Sequence, residues 1–507
     1  VRFEETLRYR PFALVSAGFE QVVLEPVQRT NSPAALHRTD ESPEAPFAAV
    51  ELTVADGGGV VVAGLVTADG DSLLATYDLT TGRAGLELSA AGSTRVIAVR
   101  SGGPRSVQGV AFVLCENQAT VLVDGGDGWQ PLVTSRRNVA AFTDFRDPAV
   151  LGRYTYAYGV RPNRRSSSSR TRTRWSSLSR PLPSEPEDSL ATVTSVRAGV
   201  FGMVGVRDPH VIVRPDGTPY VRDGRLYLTL TCAGLGFFQQ AHWGIFTLDL
   251  DDLTSLEQVA HLFFRRDGAV LGDHAGHVVV DGDRLVVAVS SWGDFAPGNI
   301  SVRHTVANTR LLSGVHVLDC APLALPTVVG SWDPALARIE DRWYVAFVES
   351  PTQSSRFQFH PALAVGASGS DYDGPLELVG ADNGRRQCEG PILAQVDPAM
   401  VVSTTDAGVV STSSTTGVAS TNGPEWRVLA SDSDAQEYPV YDLTMRQVGT
   451  LAAPYDTNIP HPQVVTVHGA AGPRHIMISF DGNPYAESVM GYGTHGDLVI
   501  LSAASTP

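Results

Sequence analysis

The sequence predicts an all-β chain, a two-sheet β-sandwich followed by a five-bladed β-propeller, and three observations carry that prediction. The first is periodicity. Apolar residues alternate or run in blocks of four to eight between Gly, Asp, Asn and Pro, as in GVVVAGLV (from Gly59), SLLATYDL (from Ser72) and QATVLVDG (from Gln118). That spacing belongs to strands, not helices. The second is a repeat. Five segments open on a polar step and run into a strand-like stretch: RDPHVIVRPDGTPYVRDGRLYLTLT (from Arg207), GDHAGHVVVDGDRLVVAVSS (from Gly272), SWDPALARIEDRWYVAFVES (from Ser331), CEGPILAQVDPAMVVSTT (from Cys388) and PHPQVVTVHGAAGPRHIMISF (from Pro460). Their matched positions, Pro209, Gly276, Pro334, Pro391 and Pro462, lie 67, 58, 57 and 71 residues apart. A repeat of that length built from short strands is the mark of a propeller. The third is the N-terminal part, where short strands such as AAVELTVAD, TRVIAVRS and GVAFVLCEN follow closely without the long repeat, as in a sandwich.

These readings divide the chain into a sandwich accessory domain at 1–140, a connecting segment at 141–195 and the propeller at 196–507. The strand order VELTV, GLVTADG, LLATYDL, GLELSAAG resembles laminin-G-like or concanavalin-like modules. Residues 161–189, RPNRRSSSSRTRTRWSSLSRPLPSEPEDS, have almost no apolar content and predict a surface loop or linker. TDFRDPAVLGRYTYAYG (from Thr143) repeats the RDP step, with Pro148 61 residues before Pro209. It offers a sixth blade and makes Asp147 a rival to Asp208. Its lack of a DG turn favours five.

Composition removes several classes of function. The 507 residues are 43% hydrophobic, with a net charge of −16 and an isoelectric point near 5.2. That balance argues against nucleic acid and anionic membranes as partners. No 18-residue apolar run is found, so no membrane-spanning helix is expected. The opening VRFEETLRYR has no apolar signal region. The expectation is a secreted or cell-surface protein whose signal has been removed, with the cytoplasm kept open. The sequence contains no Lys, which excludes Schiff-base lysines and P-loops. The cysteines Cys115, Cys232, Cys320 and Cys388 form no CxxC pair, so a zinc ribbon is excluded. Cys232, in an apolar strand, reads as a small buried hydrophobe, and one or two disulfides stay open.

The chemistry is expected where the copies differ. A DG or ED turn in each copy signals a β-hairpin, and the first strand of a blade lines the central channel. Asp208, Asp333, Glu389 and His461 stand at the starts of copies one, three, four and five. Three carboxylates at one end of a channel are poorly explained by packing, because buried carboxylates are costly without partners. Clustered, they shift one another's pKa and separate an acid from a base, an arrangement suited to cleaving a glycosidic bond.

The order RDP, WDP, EGP on copies one, three and four resembles the five-bladed furanosidase superfamily of glycoside hydrolases. This superfamily comprises family 43 (arabinanases, arabinofuranosidases, xylosidases) and its relatives in families 32 and 68. The separations of 125 and 56 residues between Asp208, Asp333 and Glu389 resemble that pattern, over about residues 200–500. The resemblance implies a hydrolase of furanose-containing or xylose-like glycans. In it Asp208 is the general base, or the nucleophile in a family-32-like enzyme. Asp333 tunes the acid and stabilises the transition state, and Glu389 is the general acid. It implies no required cofactor and no assigned metal ligand. His461 stands where the family places a fifth-blade histidine, sometimes beside a structural calcium near the axis. The WMNDPNG signature of family 32 is absent, and a Cys precedes Glu389 instead of following it.

Pocket walls of such a site need aromatic rings for stacking and polar groups for hydroxyls. Arg207, Phe237, His242, Asp273, His274, Trp292, Trp332, Asn458 and His461 are the candidates for binding substrate, with Phe238, Trp243 and Asp294 beside them. His274 and His277 in DHAGH would face opposite sides of a strand, so they are not read as a metal pair. The expected partner is an oligo- or polysaccharide. Two other readings stay open: a fructan- or sucrose-acting fructofuranosidase or fructosyltransferase, and a non-catalytic carbohydrate-binding propeller. The latter would require the three carboxylates to face different cavities.

Overall fold

The computed structural model describes residues 1–25, 36–163, 190–295, 300–353, 357–403, 423–455, 459–469, 472–482 and 496–504. Its regular structure is nearly all strand, with two four-residue α-helices and a few 3-10 turns among the described residues. The chain forms two compact units. One holds residues 13–202 and the other joins residues 1–12 to 203–507.

The second unit contains five sheets, or blades, antiparallel throughout except that Gly314–Asp319 runs parallel to Leu256–Arg266 in the first. Their innermost strands are Val206–Val211, His274–Asp281, Gly330–Ile339, Cys388–Val396 and Gln463–Gly469. Each innermost strand touches the next, and the fifth touches the first, so the five close a ring around one axis. Hairpins build each blade. In blade one Asp223 and Gly224 both take positive φ (52° and 75°) between paired Arg222 and Arg225, the geometry of a two-residue type I′ turn. Alternation then sorts the faces. Leu226, Leu228 and Leu230 are buried against Phe246, Val279 and Val286, where apolar burial between blades supplies the main stabilisation. Blade five is closed by the beginning of the chain: Arg2–Tyr9 pairs antiparallel with Leu498–Ala504, from Arg2 opposite Ala504 to Tyr9 opposite Leu498.

The unit at 13–202 has two six-stranded sheets. Phe47–Val54 and Gly109–Cys115 are central in one, and Val60–Thr67 and Ser72–Asp78 in the other. Apolar residues of both sheets, among them Val50, Leu52, Phe112, Leu65 and Tyr77, form one core.

Three sequence expectations change here. The first unit extends to residue 202 instead of 140, because Tyr154–Arg161 pairs along its length with Val60–Thr67 and Val193–Met203 pairs with Phe47–Val54. The Ser/Arg-rich stretch suggested a boundary by composition, but it separates two strands of one unit, and most of it, 164–189, lies outside the described residues. The second RDP step is helix-capping chemistry. Asp147 caps the four-residue helix Pro148–Leu151, its side chain accepting from the Ala149 N–H at 2.8 Å, with Pro at the position that needs no N–H. Asp147 is therefore exposed in the other unit and adds no sixth sheet to the ring. All four cysteines are free thiols, and Cys232 is buried.

Candidate active site

The five innermost strands share one backbone device. Asp208, Ala275, Asp333, Gly390 and His461, each just before the matched Pro or Gly, have φ of 47°, 54°, 49°, 64° and 45°. The left-handed region disfavours side chains bearing a Cβ and costs of order 1–3 kcal/mol per residue. In blades one to four the pairing register also slips at this step, between Arg207 and His210, His274 and Gly276, Trp332 and Ala335, and Glu389 and Ile392. Such bulges re-aim side chains. Here two consecutive residues per blade stand at the mouth of the ring.

Hydroxyls of the preceding blade hold three of these steps. The Ala275 N–H donates to Thr231 Oγ1 (3.2 Å), the Asp333 N–H to Ser290 Oγ (2.9 Å) and the His461 N–H to Ser431 Oγ (3.0 Å). In blade four the Gly390 N–H donates to Asp333 Oδ2 (3.2 Å) instead. A Cβ on Gly390 would meet the His461 ring at 2.4 Å, so glycine is required both by its φ and by the ring beside it. The register agrees with the alignment on the matched prolines. Glu389 is equivalent to Arg207, His274 and Trp332, one residue before the left-handed position that Asp208 and Asp333 occupy.

The result is one cavity of about 220 Å³. Its polar lining is Arg207, Asp208, His274, Asp333, Gln387, Glu389 and His461, and its apolar lining is Phe238, Ala275, Trp292, Trp332, Phe357, Phe359 and Ile459. The three predicted carboxylates thus face a single cavity. Asp208 has Arg207 Nη2 at 3.8 Å from Oδ1, His461 Nδ1 at 3.9 Å from Oδ1 and His274 Nδ1 at 3.9 Å from Oδ2. His461 Nε2 lies 3.5 Å from Asp333 Oδ2. Trp332 donates its indole N–H to Glu389 Oε2 at 2.9 Å.

These surroundings drive the carboxyls apart. Burial would raise Asp208, but Arg207, His461, His274 and a hydrogen bond from Thr231 outweigh it and hold the group below its ordinary value. Burial raises Glu389 to about 7, against the lowering effect of the Trp332 hydrogen bond and with a further push from Asp208. Burial and the charges of Glu389 and Asp208 raise Asp333 well above its ordinary value. Asp333 and Glu389 titrate as a pair. Burial lowers His461 to about 4 and lowers His274 as well, so both rings are neutral at pH 7.

Asp333, Glu389 and His461 also bring two carboxylate oxygens and one ring nitrogen within 4.8 Å of one another. Calcium takes six to eight oxygens. The two carboxyls of this trio carry four, of which Asp333 Oδ2 and Glu389 Oε2 already accept from Gly390 and Trp332. The donor set therefore does not suit calcium.

The other sequence candidates separate cleanly. Arg207, His274, Trp292, Trp332 and His461 line the cavity, as does Phe238. Phe237 does not; it is 45% exposed beside Phe238, with ring centroids 4.1 Å apart. His242 opens the third strand of blade one, two strands from the axis, and is buried with its Nε2 2.9 Å from His261 Nδ1. Trp243 is buried in the apolar core between blades one and two. Asp273 is buried behind the wall, paired with Arg266, and Asp294 meets the same arginine. Asn458 lies outside the described residues. Sequence reasoning missed Phe357, Phe359, Gln387 and Ile459. Alternation in RFQFH placed Phe357 and Phe359 on one face and was a usable signal. Gln387 and Ile459 carried none beyond lying next to the repeat starts.

Solved structures similar to this chain include glycoside hydrolases of families 93, 43 and 117. The α-L-arabinanase of Penicillium chrysogenum in complex with arabinobiose is 10% identical, covers 89% of this chain and 98% of its own, and has a TM-score of 0.36. A family 43 enzyme of Xanthomonas citri in complex with xylose is 13% identical, covers 60% of this chain and 88% of its own, and has a TM-score of 0.36. The family 93 α-L-arabinofuranosidase of Fusarium graminearum in complex with arabinobiose is 10% identical, covers 89% and 97%, and has a TM-score of 0.33. No protein-family model and no curated protein matches the sequence.

Proposed function

We propose that this protein is a glycoside hydrolase that cleaves a furanose-containing or xylose-like glycan. One observation carries the reading: an ionised Asp208 and a raised Glu389 share one aromatic-walled cavity. Glycosidic cleavage needs a carboxylate that acts on water or carbon and a protonated carboxyl that serves the leaving oxygen. Asp208 takes the first role and Glu389 the second. Asp333, next to both, keeps the proton of the pair available and orients the sugar. Neutral His274 and His461 and cationic Arg207 offer polar contacts to hydroxyls, and the rings of Phe238, Trp292 and Phe357 face the C–H side of the sugar. A cavity of about 220 Å³ has room for one sugar unit, with the rest of the glycan outside.

The test is a panel of aryl α-L-arabinofuranosides, β-D-xylosides and fructans with wild type, Asp208→Asn and Glu389→Gln. Both variants should fold and lose activity, Glu389→Gln by about 10²- to 10⁴-fold, the usual worth of a positioned acid. Wild-type rates in Glu389→Gln would remove Glu389 from the reaction.

A further inference from the structure

We propose that Trp332 is a positioning residue for the acid: its indole N–H occupies Glu389 Oε2 and so assigns the transferable proton to Oε1. This rests on the hydrolase reading above and corrects the expectation that Trp332 is a stacking surface for sugar.

The geometry is local and specific. Trp332 and Glu389 hold equivalent positions one blade apart, each just before the left-handed step, and the indole reaches across to the carboxyl at 2.9 Å. Indole has one donor and no acceptor, so this bond leaves nothing for a hydroxyl. The ring is only 1% exposed and is held on several sides, with Trp292 at 5.3 Å, Phe359 at 5.5 Å and Phe357 at 6.3 Å between centroids. It cannot turn without displacing them, so the N–H direction is fixed.

A neutral carboxyl has one carbonyl-type oxygen and one hydroxyl oxygen. Occupation of Oε2 by an N–H donor makes it the carbonyl-type oxygen, and the proton stays on Oε1. During cleavage that proton passes from Oε1 to the leaving oxygen as its bond to the anomeric carbon breaks, and the charge left on the carboxylate is met at Oε2 by the same indole. The bond therefore strengthens as the acid ionises, the differential interaction that accelerates a reaction. The other charged or titratable groups lining the cavity around Glu389 are Asp333, Asp208, Arg207, His274 and His461, and none of them supplies a second fixed N–H to Oε2 in the hydrogen bonds described above.

The first test needs no substrate. In full-length wild type, the indole N–H resonance of Trp332, assigned by through-bond correlation to its own backbone, should move with pH along the midpoint at which the Glu389 carboxyl titrates in 13C spectra. In Trp332→Phe that carboxyl should titrate roughly one to two pH units higher, the worth of a charge-assisted hydrogen bond. An indole signal indifferent to pH would overturn the proposal even if Trp332→Phe fails to fold. Kinetics add a second arm. Trp332→Phe should lose at least tenfold more kcat on unactivated oligosaccharides than on dinitrophenyl glycosides, while Trp292→Phe, which removes a ring without a donor to Glu389, should raise KM on both. Equal losses on both substrates in Trp332→Phe would make it a wall residue only. A wild type that hydrolyses nothing would count against the hydrolase reading and leave the spectroscopic result standing.

Discussion

Glu389 shows what a site costs at the level of one residue. Burial raises its carboxyl from the ordinary 4.5 to about 7, so between those values the folded chain binds a proton that the unfolded chain has released. Stability linked to this group is fully present below about pH 4.5 and is lost as pH rises through about 7. Asp333 has the same sign, since it too is raised. Glu389→Gln should therefore stabilise the protein at pH 8, by up to about 3 kcal/mol, and leave stability at pH 4 nearly unchanged. Thermal melts of wild type and variant at the two pH values would check this, and an equal shift at both would contradict it. The identities of Asp208, Asp333 and Glu389 were legible because carboxylates interrupted an apolar repeat. Their offset was legible as well: with Pro209, Pro334 and Pro391 matched, Gly390 falls beside Asp208 and Asp333, and Glu389 one residue earlier, and the positive φ at all three places agrees.

At the level of strands and loops, a candidate can be right in type and wrong in depth. Asp273 precedes the pocket residue His274, yet its side chain is fully buried and accepts two bonds from Arg266 (2.7 and 2.9 Å) and one from the Gly293 N–H (2.8 Å). It ties the start of the innermost strand of blade two to the loop that carries Trp292. Removing one partner of a buried ion pair costs about 3–5 kcal/mol where the other is left unpaired, whereas replacing both with apolar groups can be close to neutral; here Arg266 would keep the more exposed Asp294. Asp273→Ala should thus lower the melting temperature more than the double variant Asp273→Leu with Arg266→Met. The opposite order would mean that the pair does more than satisfy itself. His242 failed for a related reason: the repeat shows which strand a residue belongs to, but distance from the axis depends on the order of strands within a blade. Composition had the same weakness at 161–189, where it marked a polar stretch correctly and could not say that strands on either side return to one unit.

For the ring unit, closure depends on residues at opposite ends of the sequence. Phe3 is fully buried and packs with Met477, Val499 and Leu501, and Thr6 Oγ1 donates to the Ile500 carbonyl at 3.1 Å. Phe3→Ala should cost about 3–5 kcal/mol, the usual range for emptying a buried aromatic site, and should lower the melting transition of the ring unit. A variant as stable as wild type would show that the first strand is not needed to hold blade five. The all-β class and the five repeats were legible from period and turn chemistry, whereas the pairing of the first strand was not, because VRFEETLRYR belongs to no copy of the repeat. That same separation makes residues 13–202 an insertion between the closing strand and blade one. A Cβ on Gly202 would meet the Ala13 carbonyl oxygen at 2.5 Å, so the two ends of the inserted unit are adjacent, as tolerated insertions require.

That closing strand also sets an order of events during synthesis. Arg2–Tyr9 is made before the other described strands of the ring unit, and its partner Leu498–Ala504 after them. The first strand must therefore wait, unpaired, while the intervening residues leave the ribosome, the inserted unit folding meanwhile as a unit of its own. His461 belongs to blade five and stands 3.9 Å from Asp208 in blade one, so the groups lining the cavity come together only after blade five has been made. Onset of the proposed hydrolysis during translation would then be a clock for ring closure, and a ribosome stalled before residue 498 should carry a folded insert and an open ring.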